Sequence, residues 1–118
     1  MMSGYDIYKK VLLRLGFNST DNHTVLSDGR VIMAKEFINQ ILSDLRLDEI
    51  EDMTAKIKCS KAQGEAVCYG VAMLMALSEG DSEKNKLFTD LYNAKRASVL
   101  SEVSFIEDTL PSAENGGV

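Results

Sequence analysis

Residues 64–80, GEAVCYGVAMLMALSEG, decide the fold. From Val67 to Leu77 no residue is charged and the Tyr69 hydroxyl is the one strong polar group, so a helix here is apolar on every side and predicts a coat of other elements. At a rise of about 1.5 Å per residue the apolar run spans roughly 16 Å, short of the roughly 20 apolar residues that cross a bilayer. A buried central helix is therefore expected. Ser60 is placed to cap its start and Gly80 to end it, with Lys61, Gln63 and Glu65 confined to the first turns. Ala62, Ala66 and Gly70 fall four residues apart on one stripe, where a neighbouring helix can come close. Small residues also suit a cofactor groove, yet no phosphate-binding, metal-binding or cationic partner accompanies them. Gly64 and Gly70 lack the following Gly-Lys-Ser/Thr of a phosphate loop. Core packing is the reading, with no cofactor.

Outward from this stretch, each flank offers a helix with an apolar face. Ser3 and Asp6 have the spacing of an N-cap and a first-turn acid, and Tyr8, Val11, Leu12 and Leu15 follow at helical intervals until Gly16. Lys9, Lys10 and Arg14 form the opposite, basic face, which is either solvated or turned to an acidic partner. Residues 17–28, FNSTDNHTVLSD, read as a loop, and His23 within it has no neighbouring ligand or nucleophile. Ser27 or Asp28 then caps a second helix with Val31, Ala34, Phe37, Ile38, Ile41, Leu42 and Leu45 on one face.

Residues 44–52 concentrate Asp44, Asp48, Glu49, Glu51 and Asp52 against Arg46 alone. The order lacks the alternating oxygen ligands and central Gly of an EF-hand loop, which leaves a solvated acidic face and no metal site. Leu47, Ile50, Met53 and Ile57 predict a short helix or an extended connection with its apolar edge on the core. Beyond Gly80, Asp81 or Ser82 caps a helix over 82–100 that carries Leu87, Phe88, Leu91 and Tyr92 on one face and Lys84, Lys86, Lys95 and Arg96 elsewhere. Residues 101–118 then contain four acids and no Lys or Arg, and divide the chain into a helical domain over 1–100 and an acidic tail over 101–118. The apolar tail residues either meet a partner or dock on the domain itself.

The expectation is an all-α bundle of four main helices around the apolar one. The 118 residues suffice for one domain with its own core, and one proline, no tryptophan and 7% aromatics suit helices. A net charge of -5 argues against general nucleic-acid binding, which needs clustered Lys and Arg. No predicted helix carries a reading face for DNA bases, and no nucleophile, base and orienting group can be named together, so no catalytic residue is assigned. Cys59 and Cys68, if both on one helix, stand roughly 13 Å apart along its axis, beyond disulfide reach, and read as reduced thiols. No signal-peptide pattern is visible at the start, so synthesis in a cytoplasm is the expectation.

Four segments together carry a resemblance: YDIYKKVLLRLG, GEAVCYGVAMLMAL, FTDLYNAKRA and FIEDTLP. Spanning most of the chain, they resemble the small helical head-to-tail adaptor proteins of tailed phages and prophages, also called connector or head-completion proteins. The resemblance implies a ring, commonly of twelve copies, beneath the portal at the virion neck, linking it to the tail or stopper. DNA would pass through the ring without sequence-specific binding. It further implies that Tyr92 and Asn93 fix the fourth helix and that Phe105, Ile106, Asp108, Leu110 and Pro111 form a partner-seeking tail. Contacts between subunits would then draw on Lys84, Lys86 and Arg96 against the acidic segment with Asp48 and Glu49. The chain lacks an extended basic tract. A different class, a small intracellular regulatory or protein-binding helical module with a groove beside the central helix, is the alternative.

Overall fold

Ser3 opens the first helix with a reciprocal cap: its hydroxyl accepts from the Asp6 backbone at 3.2 Å, and the Asp6 carboxylate accepts from the Ser3 backbone at 2.9 Å. The structure, a computed structural model, describes residues 2–16 and 28–108, with the backbone alone for residue 28 and residues 102–108. Among these residues there are four helices: α1 Gly4–Arg14, α2 Asp28–Asp44, α3 Lys61–Ser78 and α4 Ser82–Asp108. Among the described residues there is no strand, only an isolated antiparallel bridge between Ser3 and Lys56. The fold is all-α. His23 and residues 17–27, read from the sequence as a loop, lie outside the described residues.

α3 packs against each of the other three helices and buries Ala66, Val67, Cys68, Val71, Ala72, Met75 and Ala76. Its coat is not closed all round: Tyr69, Met73 and Leu74 are half-buried and Leu77 is 65% exposed. Arg14 lies over the open side, its guanidinium carbon 5.0 Å from the Tyr69 ring centroid. α3 starts with the same reciprocal device as α1, Ser60 with Gln63, and ends as Gly80 turns left-handed at φ +74°. Asp81 takes the next cap, accepting from the Lys84 backbone at 3.0 Å, so of the two candidates it is Asp81 that starts α4.

α3 and α4 form an antiparallel hairpin in which the Asn85 amide donates to the Met73 carbonyl, Phe88 lies 6.4 Å from Tyr69 and Lys95 meets Glu65 at 3.1 Å. α4 has 27 residues against 18 in α3, so its end extends about 13 Å beyond the start of α3. Helix thus continues past residue 100 to Asp108.

The stop of α2 had no glycine to announce it. Arg46 occupies the left-handed region at φ +63°, and Leu47 donates to the Leu42 carbonyl at 2.8 Å in the pattern normally built on glycine. The strain lies on an exposed side chain. Arg46→Gly is expected to stabilise the fold by about 0.5–1 kcal/mol, since relief of the Cβ clash exceeds the added chain entropy, and the midpoint of urea unfolding will read it.

Residues 45–60 are an irregular connection, and of the two sequence options it is this one that holds. Ile50, Met53 and Ile57 are buried. The main chain is tied down where Tyr5 donates to the Met53 carbonyl at 2.9 Å and Ile57 donates to the Met2 carbonyl at 2.8 Å.

Candidate functional site

The outer face of α2 and the connection together make a groove. Ala34, Ile38, Ile41 and Leu42 of α2 point into the core, which leaves Ile32, Lys35, Glu36, Asn39 and Gln40 along the outer side. Asn39 fastens the second wall: its amide donates to the Ile50 carbonyl at 3.0 Å and its oxygen accepts from the Ile50 backbone at 2.8 Å. Between the walls lies a cavity of about 610 Å³ that Glu49 closes from the connection side. A second cavity of about 330 Å³ continues past Ile32 and Lys35 to Tyr5, Val31, Met53 and Asp52.

Ile32, 62% exposed, is the apolar floor, and the rim is acidic through Glu36, Glu49, Glu51 and Asp52 against Lys35. The Thr54 hydroxyl and backbone both donate to Asp52, the backbone at 2.8 Å, and hold its carboxyl below the usual range. This charge persists into mildly acidic solution. Such a groove can hold a segment that presents an apolar side chain among cations. Asn39→Ala is expected to cost about 1–2 kcal/mol and to loosen residues 47–54, because both Ile50 main-chain groups lose their partner; hydrogen exchange at Ile50 checks it.

The residues singled out from the sequence are dispersed. Lys84 reaches back to α1, its Nζ donating to the Leu15 carbonyl at 2.6 Å, with Asp81 at 3.9 Å. Arg96 is bound within its own chain by Asp44, at 2.7 Å from Nε and 3.3 Å from a terminal nitrogen. Lys86 pairs with Asp90 at 3.4 Å on the open surface of α4. Asp48 and Glu49 are exposed on the connection, and only Glu49 reaches the groove. Phe105, Ile106 and Asp108 lie in the last turns of α4, where the backbone alone is described; Leu110 and Pro111 lie outside the described residues. Tyr92 is buried and donates to Asp44, which joins α4 to α2, whereas Asn93 is exposed.

Asn39 carried no sequence signal, since a single amide on a helix is ordinary. Ile32 did carry one: it lies off the stripe of Val31, Ala34, Ile38 and Ile41. Leu87, 53% exposed, and Leu91 likewise turn away from the buried Phe88 and Tyr92.

Among the described residues no group of three or more His, Cys, Asp and Glu side chains could hold a metal ion, and no helix is long and apolar enough to cross a membrane. No protein-family model, curated protein or solved structure matches the chain.

Proposed function

We propose that the protein is a structural head-to-tail adaptor that assembles as a ring under a phage portal and links it to the tail or stopper, with DNA passing through. The observation that carries the reading is that three of the resembling segments fall on α1, α3 and the middle of α4, and that residues 105–108 of the fourth form the last turn of α4. The last turns of α4 extend past α3, which suits a segment meant for a neighbour. Leu87 and Leu91 add an apolar strip along the same helix. An acidic protein grips few phosphates, which favours a conduit through which DNA slides. Synthesis in a bacterial cytoplasm and residence in the virion neck belong to the same reading. Co-expression with a phage portal protein, followed by electron microscopy, tests it. Portal particles bearing an added ring are expected, and bare portals at saturating protein would remove the reading.

The groove on α2 favours a second reading, a small protein-binding helical module, because its apolar floor and acidic rim suit a basic amphipathic segment of another protein. Reversal of charge in Glu36→Lys and Glu49→Lys would abolish capture of such a partner and leave portal association intact.

A further inference from the structure

Gly64 leaves a space on α3 that two sulfur-bearing side chains fill. The Met2 methyl carbon lies 2.7 Å, and the Cys59 sulfur 3.6 Å, from where a Gly64 Cβ would stand. Cys59 precedes the N-cap Ser60, so the separation along one helix expected from the sequence does not apply to it. Cys68 stands one turn beyond Gly64 on the same face of α3. All three residues line one cavity of about 390 Å³. Both cysteines are free thiols, Cys59 half-buried and Cys68 buried.

We propose that Met2, Cys59 and Cys68 form a binding site for a soft monovalent metal ion, Cu(I). Thioether and thiolate sulfur select Cu(I), which accepts two or three ligands, whereas zinc takes four from thiolate, imidazole and carboxylate and gains little from a thioether. Binding displaces both thiol protons to solvent, and the two thiolates with one Cu(I) carry a single negative charge. Lys10, Arg14 and Lys61 line the same cavity and offset it. Glu65, the one carboxylate there, is engaged by Lys95. This site is independent of the adaptor reading.

The test is anaerobic titration of the reduced, full-length protein with Cu(I) in competition with bicinchoninate. One equivalent withdrawn from the chelator is expected, with sulfur-to-copper charge-transfer absorption in the ultraviolet. Cys59→Ser and Cys68→Ala are each expected to weaken binding by more than about tenfold, beyond the loss typical of outer-shell changes, and Met2→Leu less. Circular dichroism establishes that each variant keeps its helices. Failure to compete with the chelator, or equal affinity in the cysteine variants, would overturn the assignment.

Discussion

Gly70→Val is expected to destabilise the protein by about 3 kcal/mol. Gly70 lies in the middle of α3, and a Cβ built there meets the Ile41 side chain at three atoms: Cδ1 at 2.7 Å, Cγ1 at 2.9 Å and Cγ2 at 2.9 Å. A long side chain could swing its tip away from one contact. Ile41 cannot, because Cγ1 and Cγ2 both spring from its own Cβ and its χ1 has one strongly preferred setting in a helix. Ile41 is also 3% exposed, so no open space receives it. The helices α2 and α3 would have to separate, and Ala34, Ile38 and Leu42 on the same face of α2 would lose contact with them.

Gly70→Ala shares the sign but not the size, because alanine regains about 1 kcal/mol of helix propensity over glycine. Ile41→Ala alone leaves a cavity and costs about 2–4 kcal/mol, yet it vacates the space that the valine of Gly70→Val needs. The double variant is therefore expected to lose less than the sum of the singles by about 1–2 kcal/mol. Urea unfolding of the four proteins with an unchanged slope measures this coupling. Simple additivity would show that the Ile41 contact is not what keeps this position a glycine.

The stripe Ala62, Ala66, Gly70 was visible in the sequence as a place for close approach, since small residues at helical spacing have few other uses. The partner was not visible, because Ile41 is one apolar residue among several on α2. The caps were legible for a local reason: Ser3 with Asp6 and Ser60 with Gln63 are separated by three residues, and no tertiary fact is needed to read them. Gly16 and Gly80, at φ +92° and +74°, were legible in the same way. Arg46 was not, because its left-handed turn is imposed by the tie of the connection to α2 through Asn39 and Ile50.

Apolar composition alone misjudged one side of α3. Leu77 and the half-buried Met73 show that a segment without charge need not be enclosed. The candidate site was hardest to read, since a groove depends on which apolar residue is left outside. Ile32 was off-stripe in the sequence, but only the course of residues 47–54 made a wall opposite it. Charge was similarly ambiguous: Arg96 and Asp44 are 52 positions apart, and nothing local says they meet.

That meeting should give the protein two separable pH limits. Asp44 ends α2, where a carboxylate faces the negative end of the helix and would be unfavourable alone. Arg96 grips both its oxygens and the Tyr92 hydroxyl donates to one of them, so Asp44→Ala is expected to cost about 2–3 kcal/mol at neutral pH. The Arg96 bond is the main cause that holds the Asp44 carboxyl below its ordinary 3.8, against some opposition from burial. Its contribution to stability is therefore complete above that value and lost as pH falls through the lower, folded-state value. Tyr92 runs the other way. Burial first, and then its bond to Asp44, raise the phenol above its ordinary 10.0, so its contribution is complete below pH 10.0 and lost as pH rises beyond it. The difference in stability between wild type and Asp44→Asn should thus shrink in acid, and that between wild type and Tyr92→Phe should shrink in alkali. Other carboxylates and the lysines titrate in both proteins of each pair and cancel. Denaturant unfolding across the two pH ranges reads each difference, and parallel curves for wild type and variant would show that Asp44 and Tyr92 do not set these limits.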